Sequence, residues 1–60
     1  MITNTTALMF TLGWQGGTIH QVSEVLNVSP QFIIEANYIE MNVLLRQAQR
    51  IRNMEFANAK

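Results

Sequence analysis

Along the chain, apolar residues recur at helical rather than strand spacing, and the breaks between them carry start and stop signals. Asn4, Thr5 and Thr6 are capable helix caps ahead of Ala7, Leu8, Met9, Phe10 and Leu12, and Gly13 ends the run. The spacing predicts a first helix over about 4–12, apolar nearly all round. Thr18 and Gln21 then have capping-box spacing, with Ile19, Val22 and Leu26 forming one apolar side behind them. This second helix, 18–27, stops at Asn27, where asparagine tolerates the left-handed conformation of a tight turn. Ser29-Pro30 restarts the chain as helix, because serine caps free amides and proline suits the first helical position. No glycine or proline follows, so a third helix is expected to run unbroken over about 30–56. The expected fold is all-α, a single small helical domain over 1–60 with three helices.

The long third helix shapes the picture most. At about 100° per residue, Glu35, Asn42, Arg46, Gln49 and Asn53 fall on one narrow polar strip. Phe32, Ala36, Ile39 and Val43 form one apolar stripe, and Ile34, Tyr38, Met41, Leu45 and Ala48 a second, with Ile33, Leu44 and Ile51 beside it. Two short helices are too few to cover both. An uncovered stripe of this size exceeds the few hundred Å² that monomers usually expose. The second stripe, Ile34, Tyr38, Met41, Leu45 and Ala48, is therefore expected to be the interface of a two-fold helical homodimer, whose self-complementary patch closes the assembly.

Composition strengthens that expectation. Sixty residues bury a modest core, and chains this short usually recruit a disulfide, a metal or a partner. There is no cysteine or aspartate and one histidine, which closes the first two routes. Apolar residues make up 48% against 13% charged, so the chain should fold rather than remain disordered. Near the N-terminus, the apolar run Ala7 to Phe10 is too short for a signal-peptide core or a membrane span, and a soluble cytoplasmic protein, host-cytoplasmic if viral, is expected.

Candidate chemistry is sparse. His20 has no acid or nucleophile spaced to work with it, Gly16-Gly17 lacks the strand and lysine of a phosphate loop, and no carboxylate pair or ligand cluster occurs. No catalytic residue, cofactor site or metal site is expected, and the chain reads as a non-enzyme. Trp14 is expected to fold back as a lid on the core. Net charge is zero, but Glu24, Glu35 and Glu40 all precede Arg46, Arg50 and Arg52, which leaves the C-terminal quarter basic.

Thr18 to Asn37 resembles the helix-turn-helix of small DNA-binding regulators. Ser23 stands where that family has a small residue in its first helix, Leu26, Asn27 and Val28 supply the turn, Ser29 opens the second helix, and Ile33 and Ala36 fall where it packs back. In its small size and lack of cysteine the chain also resembles phage early-region accessory proteins. The family's second helix enters the major groove with polar and basic side chains. Here that helix opens Pro30, Gln31, Phe32, Ile33, Ile34, Glu35, with no cation before Arg46. The function expected is therefore a small regulatory or interaction protein acting through protein contacts and self-associating by its long C-terminal helix. The alternative is a helix-turn-helix DNA-binding regulator. Gln31, Arg46 and Arg50 are the candidate polar contacts, to a protein partner in the first reading and to bases and phosphates in the second.

Overall fold

The computed structural model describes residues 2–58, and side chains up to Glu55. It contains four helices and, among the described residues, no strand: α1 (Asn4–Leu12), α2 (Ile19–Leu26), α3 (Pro30–Glu35) and α4 (Tyr38–Asn58). At about 1.5 Å per residue a helix of 21 residues is roughly 32 Å long. That is close to the 36 Å long axis of the molecule, so α4 is the spine on which the three shorter helices sit.

Capping chemistry sets most boundaries. Thr3, one residue before the expected candidates, caps α1: its hydroxyl accepts from the Thr6 amide at 3.1 Å. Gly13 closes α1 in the left-handed region at φ 82°, with Trp14 N–H donating to the Met9 carbonyl at 2.9 Å and Gly13 N–H to Phe10 at 3.1 Å. At α2 the capping box is complete, since the Gln21 amide donates to Thr18 Oγ1 at 3.3 Å and Gln21 Oε1 accepts from the Thr18 amide at 2.8 Å. That returning side chain crowds Gly17, where an added Cβ would lie 2.7 Å from Gln21 Oε1. Asn27, at φ 58°, ends α2, and Ser29 caps α3 through the Phe32 amide at 3.1 Å.

The expected third helix is two helices. Ala36 leaves the helical region at ψ 129°, and Asn37 starts α4 with a second reciprocal cap. Its Oδ1 accepts from the Glu40 amide at 2.8 Å, while Glu40 Oε1 accepts from the Asn37 amide at 3.0 Å. From α1, Asn4 Nδ2 donates to the Ile33 carbonyl at 2.8 Å and reaches Ala36 O at 3.5 Å, satisfying carbonyls that a continuing helix would have used. The sequence carries a cue, Asn37 followed three residues later by Glu40, that outweighs the absence of glycine and proline.

One core joins all four helices: Leu8 and Leu12 of α1, Val22 and Leu26 of α2, Ile33 of α3, and Leu44 and Ala48 of α4. Trp14 is half-buried against it, as a lid. α1 and α4 share the most extensive contact, and Ala48 of α4 is fully buried in the core. Gln47 Nε2 donates to the Leu26 carbonyl at 3.0 Å, tying the spine to the end of α2. The buried Ser23 hydroxyl is satisfied by the His20 carbonyl at 2.8 Å.

Replacing Asn37 with alanine removes a side-chain cap, and a stability loss of about 1 kcal/mol is expected in urea unfolding. An unchanged midpoint would show that the α3–α4 break is held without the Asn37 side chain, by packing, the Asn4 hydrogen bonds and the Glu40 carboxylate on the backbone amide of residue 37.

Candidate interaction surface

Breaking the long helix changes which side of it faces the core. Continuous counting from Pro30 placed Ile34 and Tyr38 on one stripe with Met41, Leu45 and Ala48, but the turn at Ala36-Asn37 resets the helical phase for Ile34 on α3, while Tyr38 keeps its phase on α4 and stands exposed in the first turn of that helix. The core-facing stripe of α4 is Met41, Leu44, Leu45, Ala48 and Ile51, spaced three and four residues apart and covered within the same chain. The five expected interface residues are thereby divided. Ala48 is fully buried, and Met41 and Leu45 are half-buried against the core, so these three are internal packing residues. Ile34 and Tyr38 remain outside at 59% and 83% exposure.

Part of the uncovered apolar surface lies on the other stripe. Ile39 and Val43, one turn apart on the outward side of α4, are 74% and 60% exposed, and Phe32 is partly exposed on α3. Phe32, Ile34, Tyr38, Ile39 and Val43 thus crowd the α3–α4 junction within twelve residues of chain. At about 150–220 Å² for a fully exposed side chain of this size, they present on the order of 500 Å². That is large for so small a molecule.

The outward side of α4 changes character toward its C-terminal half. Asn42, Arg46, Gln49 and Asn53, the expected polar strip, are all exposed, and Arg50 lies beside them. Gln49 Nε2 donates to Asn53 Oδ1 at 3.3 Å. Arg46 borders three open depressions of about 480, 550 and 520 Å³. Arg50 and Met54 share the first, and Thr11 of α1 lines the third. Gln31 is exposed on α3 and lines none of the three, so the candidate polar contacts are not gathered into one site. The surface of α2 and α3 offers Glu24 and Glu35 and no lysine or arginine. The molecule therefore has an acidic, apolar end around α3 and a basic end on α4.

Comparison with protein-family models, curated proteins and solved structures gives no match for this chain. Function has to be read from the surface itself. Among the described residues no group of three or more histidine, cysteine or carboxylate side chains is placed to hold a metal, and no helix is long and apolar enough to cross a membrane. His20 is exposed on α2. No buried polar side-chain atom among the described residues lacks a hydrogen-bond partner, so no unexplained polar group points to buried chemistry.

The two sides of α4 make opposite demands on a carboxylate. Ala48→Glu places a charge in the core against Leu8 and Leu12 and is expected to cost at least about 3 kcal/mol, enough to unfold so small a domain. Val43→Glu lies in water and is expected to leave the thermal midpoint of the isolated chain within a few degrees. Circular dichroism melts of the two variants test this assignment of faces.

Proposed function

We propose that the protein is a small non-enzymatic interaction module that self-associates through the α3–α4 junction and regulates a partner protein by contact. The observation that carries this reading is the exposed set Phe32, Ile34, Tyr38, Ile39 and Val43. Nothing in their own chain requires them to be apolar, since the core is complete without them. Burying on the order of 500 Å² from each of two copies brings the total near the 1,000 Å² that a specific interface needs. At ~25 cal/mol per Å² this offers on the order of 10 kcal/mol per protomer, gross, against the translational and ordering cost of association. A second copy presents the same apolar patch, so a two-fold arrangement closes on itself.

Charge placement supports protein contact over nucleic acid. In a helix-turn-helix regulator, the helix after the turn carries the base contacts and needs cations nearby to hold phosphate. Here α3 presents Gln31 between apolar and acidic neighbours, and Glu24 lies on the preceding helix. A duplex approaching this face meets carboxylates at the position where affinity would have to come from arginine or lysine. Arg46 and Arg50, on the outer side of α4, are left as the polar margin of a protein interface.

Sedimentation equilibrium at tens of micromolar is expected to give a dimer, and Ile39→Glu with Val43→Glu a folded monomer. A folded wild-type monomer across that range removes the self-association reading. In the same buffer at low salt, a duplex titration is expected to show no retention; tight binding that weakens steeply with salt and is lost in Arg46→Ala with Arg50→Ala would favour the DNA-binding alternative instead.

A further inference from the structure

A second surface lies away from the α3–α4 junction. Thr6, Met9, Phe10, Gly13, Trp14, Gln15 and Gly16 form a groove of about 550 Å³ with Arg52 of α4 on its border. Phe10 is 81% exposed at this site although its helix buries Leu8 and Leu12 on the core side, so folding alone does not require an aromatic residue there. Trp14 is held beside it by the hydrogen bonds that close α1 and by its packing on the core. An exposed ring next to an anchored indole makes a two-aromatic seat of the kind that dominates interface energetics.

Arg52 gives the groove its sign. A Cβ built on Gly13 would meet Arg52 Nε at 3.4 Å and Cζ at 3.5 Å, so the guanidinium lies against the backbone at the C-terminal end of α1. The partial negative charge of that helix end favours a cation in this position. Gly13 allows the left-handed turn, where any side chain would be strained at φ 82°; a Cβ there would make ordinary contact with the Arg52 side chain. Among the described residues no carboxylate lines the groove, and Arg52 is the one ionisable residue that does. Of the four glutamates, Glu24, Glu35 and Glu40 belong to α2, α3 and the first turn of α4, and Glu55, three residues after Arg52 on α4, is not among the residues that line the groove.

From this geometry we propose that the groove between the end of α1 and α4 docks an acidic amphipathic peptide segment of a partner protein. An apolar side chain of that segment sits on Phe10 and Trp14, and a carboxylate accepts from the Arg52 guanidinium, whose planar fork suits paired N–H···O bonds. A nucleic-acid strand would stack on the same rings but needs a row of cations along its backbone, and among the described residues this groove has one. The assignment is independent of self-association, because none of its residues belongs to the α3–α4 patch.

Trp14 is the protein's only tryptophan, so its emission reports the groove directly. The probe is a capped twelve-residue helical peptide with leucine and phenylalanine on one face and glutamate along its margin. Controls are the same peptide with lysine for glutamate, and a twelve-nucleotide oligothymidylate. Titration of the wild-type protein is expected to shift Trp14 emission saturably with the glutamate peptide, at least about tenfold more tightly than with the lysine peptide. Arg52→Gln and Phe10→Ser, both at exposed positions, are each expected to weaken binding about tenfold, with helix content unchanged by circular dichroism. No saturable shift up to millimolar peptide overturns the proposal, as does equal binding of the two peptides, which compares ligands on one unaltered protein. Tighter binding of the oligothymidylate, or a shift on raising protein concentration alone, also overturns it, the latter by making a second copy the occupant.

Discussion

The break between α3 and α4 is the constraint on which the surface of this protein depends. It is made by reciprocal hydrogen bonds between Asn37 and Glu40 and reinforced from α1 by Asn4, which takes the carbonyl of Ile33. Because a helix repeats every ~3.6 residues, any interruption lets the following segment choose its own rotation. α4 uses that freedom to turn Met41, Leu44, Leu45, Ala48 and Ile51 inward, and Ile39 and Val43 are carried outward as a result.

Small size magnifies the consequence. Seven apolar residues form the buried core, which is little for a domain whose stability is a small difference between large terms. Helix ends are therefore closed with unusual care, by Thr3, Thr18 with Gln21, Ser29, and Asn37 with Glu40, and by Gln47 reaching across to the carbonyl of Leu26. Each such bond is worth about 1 kcal/mol. With this internal economy, large apolar side chains left in water stand out as features that the fold itself does not use.

Two separate surfaces have that character. One is the α3–α4 junction, apolar and flanked by carboxylates; the other is the groove at the end of α1, with two aromatic rings beside a single cation. Their chemistry differs: the first is apolar with glutamates in its flanking helices, the second aromatic with an arginine on its border.

Local chemistry by itself determined the all-helical class, α1 over its full length, the capped α2, and the turn through Asn27 into Ser29-Pro30, because caps and turns are decided by residues within a few positions of one another. It did not determine which apolar residues stay exposed, since Met41, Leu45 and Ala48 of the stripe expected to be uncovered are packed within the chain. The Asn37 and Glu40 pair was equally present in the sequence, and its spacing is the signal by which the break could have been found. Only the tertiary structure decided that Asn4, twenty-nine residues from Ile33, would support that break, that Ala48 would be buried in the core, and that Phe10, Trp14 and Arg52 would share one groove. Those outcomes depend on the rotation and docking of whole helices, which are set by the summed packing of the core and not by any short stretch of chain.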